Sequence, residues 1–214
     1  MWGKLSLAGL VSYGVMLADV VAQPKWLGFP PEQSRLVLDA PDLPRMPVRA
    51  QELTGASPTV RTFQYLWGHP ARPAAYADIT IQQPTSGASF DRSPDYVALI
   101  PAVWPAVKAS APVFGTEERS VAAPLGEIKY RTLSIGPRQC LGFGGAFGAV
   151  LQGDAQMAGV KLVGGNWIYG MYCPPSGQTL TPEGARYVLE GIGWTDTKTA
   201  VAGRSKPATI TTAH

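Results

Sequence analysis

An α+β fold is the class this sequence predicts: an antiparallel β-sheet in a meander, one or two helices packed on one face, and a disulfide staple. Three observations carry the prediction. Short runs alternating apolar and polar residues recur between positions 60 and 173, as half-buried strands require. Thr181-Pro182-Glu183 has the chemistry of a capped helix start. Cys140 and Cys173 are the only cysteines, an even pair. With 45% hydrophobic and 15% charged residues the chain can bury a core, and 214 residues suffice for one domain with tails.

The elements follow in order. Residues 1–22 carry Lys4, then an almost wholly apolar run from Leu5 to Leu17, then small residues at Val20-Val21-Ala22, the pattern of a signal peptide cleaved before Gln23. A retained N-terminal membrane anchor is the alternative, but Asp19 cuts the run short of the ~20 residues that span a bilayer. No cysteine near the cut could be acylated. Residues 23–58 hold Pro24, Pro30, Pro31, Pro41, Pro44, Pro47 and Pro58, which predicts an extended arm in which only Arg35-Leu36-Val37-Leu38 docks on the domain.

A single α+β domain is expected over residues 59–194. Residues 61–67 and 77–82 read as a strand pair joined by the turn-forming stretch 68–73. Ser93-Pro94 starts a helix that Pro101 and Pro105 should break or kink. Ile128, Tyr130 and Thr132 alternate with charged residues, and the phase then slips onto Leu133 and Ile135, which predicts a bulge or a twist there. Further strands are expected at residues 146–152, 156–163 and 166–173. The capped helix then buries Ala185, Val188, Leu189 and Ile192, and Gly191 and Gly193 close it. Residues 195–214 read as a flexible tail.

The formal charge is +3, but the 18 Lys and Arg are scattered, without the clustered face that nucleic acid requires. Walker loops, nucleophile elbows and zinc-protease helices are missing, and no cofactor is expected. In Gly142-Phe143-Gly144-Gly145-Ala146-Phe147 a phenylalanine occupies the third glycine position of a dinucleotide motif, so the run reads as a close-packed loop beside the cysteine. Only His69 and His214 could serve a histidine-dependent site, and His69 lies in a turn.

Gly136, Arg138, Cys140 and Gly142 resemble the haem-binding loop of the haem-thiolate monooxygenases, where the cysteine ligates iron and the arginine meets a propionate. The likeness covers about ten residues. Leu133 replaces the family's shielding phenylalanine, and the chain is too short for that fold. A Cys140–Cys173 disulfide is the expected state in an exported protein, with free or metal-bound thiols as the alternative. The segment Arg138-Gln139-Cys140-Leu141-Gly142-Phe143, with the later Trp167 to Cys173 strand and helix, also resembles a group of small, uncharacterised exported bacterial proteins; it implies no activity.

The candidate binding residues are Trp167, Tyr169, Tyr172 and Arg138. Period-two alternation places Trp167 and Tyr169 on one face and Tyr172 on the other, so some belong to the core. The expected function is that of a non-enzymatic, periplasmic or secreted accessory or binding protein, meeting a protein partner or envelope component through the proline-rich arm, with no membrane association after cleavage. Two alternatives stand beside it: an exported hydrolase using two carboxylates among Asp91, Asp95 and Glu117, and a membrane-tethered subunit of an envelope complex.

Overall fold

In the computed structural model, which describes residues 24–85, 90, 93–148 and 165–195 and the backbone of 210–212, strands begin well before residue 59. β1 (Lys25–Phe29) pairs with β3 (Arg49–Thr54), β3 with β4 (Val60–Trp67), and β4 with β5 (Tyr76–Pro84), all antiparallel. The stretch expected to be an arm therefore supplies two strands of the main sheet. The reason is where the prolines fall. Pro24 precedes β1, Pro30 and Pro31 follow it, Pro41, Pro44 and Pro47 separate β2 (Leu36–Leu38) from β3, and Pro58 precedes β4. A missing donor costs little in a connection, so these prolines delimit strands instead of preventing them. The Leu36-Val37-Leu38 piece docks as expected: all three side chains are buried, and β2 pairs with β12 (Ile192–Trp194).

A second set of antiparallel strands follows two helices. β6 (Val113–Phe114) and β7 (Arg119–Ala123) share one edge of β8 (Gly126–Ile135); β9 (Arg138–Phe147) takes the other edge and β10 (Asn166–Cys173) follows. The register between β8 and β9 is unbroken from Ile128–Gly145 to Ile135–Arg138, so of the bulge or twist expected after Thr132 no bulge is present. The apolar phase changes because both faces are covered: Ile128 and Tyr130 enter one core, Leu133 the other. Gly136 opens the two-residue β8–β9 turn at φ +56°, a conformation glycine takes without strain.

The glycine run expected as a loop is strand β9. Its glycines are demanded by neighbours rather than by a turn. A Cβ on Gly144 would stand 2.7 Å from Tyr96 Cβ, and one on Gly142 would stand 2.7 Å from the Phe114 ring. Bare backbone at these positions lets α1 (Tyr96–Val103) lie close on the sheet. Asp95 caps α1, accepting from Ala98 N at 3.2 Å; Pro101 lies inside it, and extended Trp104 separates it from α2 (Pro105–Ala109).

β10 joins the halves by pairing with β5 as well as β9, giving the sheet order β1-β3-β4-β5-β10-β9-β8-β6, with β7 beside β6. Helices cover both faces, not one. Tyr96, Ile100, Trp104 and Val107 of the α1–α2 pair pack over Leu133, Tyr169 and Met171. On the opposite face Ala185, Val188 and Leu189 of α3 (Pro182–Glu190), with β2 and β12, pack over Ile79, Phe143, Ile168 and Tyr172. The α3 start matches the expectation: the Thr181 hydroxyl accepts from Gly184 N at 3.1 Å, with Pro182 in the first turn. Beyond it, Ile210–Thr212 pairs with β11 (Gln178–Leu180), within the stretch expected to be a loose tail. The N-terminal segment 1–22 and the strand expected at residues 156–163 lie outside the described residues.

The close seat of α1 makes a test. Gly144→Ala should lower unfolding free energy by about 1–3 kcal/mol, the usual cost of overpacking, with the urea midpoint falling and the slope unchanged.

Candidate functional site

The two cysteines form a disulfide, Cys140–Cys173, across neighbouring strands β9 and β10, closing a separation of 33 residues; both are buried. Their sulfurs are thus engaged with each other, and neither is free to ligate haem iron or another metal. Arg138 lies two residues away and meets backbone instead of a propionate. Its Nη1 donates to Arg72 O at 3.1 Å, and its Nη2 donates to Ala74 O at 2.8 Å and Pro174 O at 2.7 Å. The guanidinium also sits 5.3 Å from the Tyr76 ring centroid, and burial lowers its pKa below the ordinary arginine value. Arg138 fastens the β4–β5 connection to the end of β10.

The three candidate aromatics of β10 do not form a shared platform. Tyr169 and Tyr172 are fully buried on opposite faces, and the Tyr172 hydroxyl donates to Pro41 O at 3.1 Å. Trp167 is half-buried and stacks on Phe90 with centroids 4.0 Å apart.

The candidate acids are also dispersed. Asp95 is the α1 cap, and exposed Glu117 accepts from Arg119 Nε at 2.8 Å, which lowers its pKa. Glu118 lies 3.3 Å from Lys129 Nζ and 3.4 Å from Arg131 Nη2, and accepts from the Tyr96 hydroxyl at 3.2 Å. Glu183 sits in the first turn of α3. Asp91 lies outside the described residues. Among the described residues no group of three or more metal-ligating side chains converges. His69 is exposed in its turn, its Nδ1 accepting from Ala71 N at 3.2 Å.

Asp78 is one of the acids that the sequence leaves unranked for a hydrolytic pair, beside Glu118, Asp154, Glu183 and the three candidates above, and among the described residues it is the one that the fold buries. It falls in the clean alternation of β5, where the polar positions 78 and 80 read as a solvent face. The α1–α2 pair covers that face, leaving Asp78 4% exposed and Thr80 fully buried. A hydrogen-bond chain crosses three strands to reach it: Arg49 donates to Gln51, Gln51 to Gln64, and Gln64 Nε2 to both Asp78 oxygens at 2.9 Å. Burial nevertheless dominates and raises the Asp78 pKa to about 7, against the opposing effects of Gln64, Trp104 and the more distant Arg49 charge. Trp104 Nε1 lies close enough to act on Asp78 but closes no hydrogen bond of normal geometry, and Thr80 Oγ1 and Tyr169 OH are likewise unpartnered.

Two surface clefts flank the α3 face. One, of 480 Å³, runs beside the α3 start and is lined by Thr116, Arg119, Arg131, Thr132, Gln139 and Thr181 among others. Its strongest polar groups are already engaged: Arg119 by Glu117, Arg131 by Glu118, and the Thr181 hydroxyl by the helix cap. The other, of 440 Å³, is lined by Phe29, Gln33, Arg35, Arg61, Phe63, Tyr65, Gln83 and Trp194. Here Phe29 stands edge-on to Phe63 and Tyr65, with centroids 6.4 and 6.2 Å apart. The Arg61 guanidinium lies 4.8 Å from the Phe63 centroid and donates through Nε and Nη2 to Glu52, at 2.8 and 3.1 Å. Burial pushes the Tyr65 hydroxyl up to about 12, so it stays protonated. β1, β4, β5, β12 and the turn at Pro31–Gln33 build this cleft, so residues assigned to a peripheral arm supply part of its wall.

Comparison with family models, curated proteins and solved structures finds no match, so function has to be argued from these residues.

Asp78 makes stability depend on pH with a defined sign. Its folded pKa is raised, so its protonated form suits the fold; the contribution is complete below the ordinary carboxyl value of 3.8 and is lost as pH rises towards 7. That gap corresponds to about 4 kcal/mol. Urea unfolding from pH 4 to 8 should show a declining free energy in the wild type and a flatter profile in Asp78→Asn.

Proposed function

We propose that this chain is an exported, non-enzymatic accessory protein that binds a glycan in the cleft between β1, β4 and β12. The observation that carries the reading is the lining of that cleft: half-buried Phe29, Phe63 and Trp194, with buried Tyr65, beside the planar polar groups of Gln33, Gln83, Arg35 and Arg61. A sugar ring has an apolar face of C–H groups and a polar rim of hydroxyls. Aromatic faces take the first, and amide and guanidinium groups arranged around them take the second. Arg61 is neutralised and held in plane by Glu52, which favours hydroxyl recognition over capture of an anion.

Export is supported by the apolar N-terminal segment and by a disulfide of the sort that persists in oxidising compartments. Contact with an envelope partner, first assigned to the proline-rich stretch, is better placed at this cleft, to which that stretch contributes Phe29, Gln33 and Arg35.

Titration of the disulfide-bonded protein with a panel of soluble neutral oligosaccharides, followed by calorimetry and amide shifts, tests the ligand. Binding that shifts cleft residues and weakens about tenfold in Phe63→Ala would bear the reading out. No binding across the panel, or binding indifferent to Phe63, would remove it. For export, intact protein recovered from its native compartment should have a mass starting at Gln23 and gain two alkyl groups only after reduction; a mass retaining Met1 would indicate a tethered form.

A further inference from the structure

The main sheet ends at β1, and among the described residues nothing pairs with the outer edge of that strand. A strand in an antiparallel ladder turns alternate N–H and C=O groups to each side, so β1 offers an unused row of donors and acceptors. Natural edges are usually blunted. This one carries apolar side chains on both of its faces: half-buried Trp26 on the Asp78 face, and Leu27, 46% exposed, on the α3 face. The far edge of the sheet differs, because β6 has two residues and β7 presents Arg119, small side chains and a buried Val121.

Gly28 is an independent observation. Gly142, Gly144, Gly145 and Gly170 of β9 and β10 are demanded by neighbours, since a Cβ on any of them would stand under 3.0 Å from another atom. Gly28 is not: a Cβ there would meet nothing nearer than the Ala50 carbonyl oxygen at 3.8 Å, and its backbone is not in the positive-φ region. A glycine inside a strand weakens it unless a second backbone or a ring comes to lie against it.

The sequence of β1, Lys25-Trp26-Leu27-Gly28-Phe29, supplies that ring when the strand is paired with itself. In the antiparallel register that uses all five residues, Leu27 faces Leu27, Trp26 of each copy lies beside Gly28 of the other, and Lys25 stands opposite Phe29. The indole fills the space that glycine leaves open, and an ammonium beside a phenyl ring is a favourable neighbour. Charge decides the direction. Antiparallel pairing sets the two Lys25 about 14 Å apart at opposite ends of the ladder, beyond the ~8 Å screening length, whereas parallel pairing would set them side by side. Pro24 and Pro30 flank the strand and confine the ladder to these residues.

We propose that β1 is the interface of a homodimer, in which two copies join edge to edge into one continuous antiparallel sheet about a two-fold axis at Leu27. That axis is perpendicular to the sheet, so both α3 faces look the same way. The cleft that Phe29 helps to line in each copy then gains Lys25 of the second copy at its rim. Five paired residues bury little area, so association is weak, with a dissociation constant on the order of 100 μM. The dimer needs no ligand in the cleft and stands or falls apart from the glycan reading.

Sedimentation equilibrium of the intact, disulfide-bonded chain, without sugar, should show the average mass rising from monomer towards dimer between about 5 μM and about 1 mM. Leu27→Lys sets like charges opposite each other at an exposed position that the fold does not need, and should weaken association about tenfold. Leu27→Cys tests the location. The native cysteines are bonded to each other, so the introduced thiol is free to link two chains under mild oxidation, whereas Lys25→Cys, about 14 Å from its counterpart, should not link. A chain that stays monomeric at the highest concentration, or a mass growing past the dimer as opposite edges join, would overturn the proposal. So would association indifferent to Leu27→Lys, or equal linking at both positions.

Discussion

The ladder between β5 and β10 is the interaction on which the rest of this molecule depends. It runs from Trp167–Gln82 to Cys173–Tyr76 and joins an N-terminal group of strands to a C-terminal meander. Without it each half would have an unpaired edge and half a core on each face. The approach is close: a side chain at Gly170 would collide with the Asp78 carbonyl and Ile79 Cα, so bare backbone is required where the halves meet. The disulfide and the Arg138 clamp fix one end of this seam, binding β9, β10 and the β4–β5 connection together. The same ladder sets Tyr169 beside Thr80 and so assembles the polar cluster around Asp78.

A sheet buried on both faces also explains which features could be read in advance. The α3 helix was legible because cap, first-turn proline and apolar stripe are all local, and each is found where the sequence put it. The pairing of β4 with β5 was legible for the same reason, as was the division of Tyr169 from Tyr172. The glycine run of β9 was not, because its meaning lies in Tyr96 and Phe114, about 50 and 30 residues earlier in the chain. A glycine selected for close approach has the same one-letter signature as one selected for a turn. The prolines before residue 59 misled in a related way: their number suggested an arm, whereas their spacing leaves room for β1, β2 and β3 between them.

The sites show the same division. The cysteine pair needed only parity and compartment to read, and the disulfide is present. The aromatic cleft draws on Phe29, Phe63 and Trp194, scattered over most of the chain, and no local pattern unites them. Asp78 and Thr80 sit at alternate positions of β5, and alternation of polar with apolar residues normally marks a solvent face. Only the α1–α2 pair, whose two prolines made it hard to place as a helix at all, turns that face inward.

Burying a carboxylate is unfavourable, and this fold has means at hand to avoid it. An asparagine would keep the Gln64 contact, and an arginine close to Asp78 would supply a counter-charge. Instead the nearest cation is relayed through two glutamines, a route that orients the carboxylate without neutralising it. The unpaired hydroxyls and indole around it add to that cost. They set a polar cluster inside the core, on the face of the sheet away from the proposed ligand cleft. β4 and β5 run between the two: β5 presents Ile79 and Ile81 to the α3 core and Asp78 and Thr80 to the opposite face, while β4 lends Phe63 and Tyr65 to the cleft and Gln64 to Asp78.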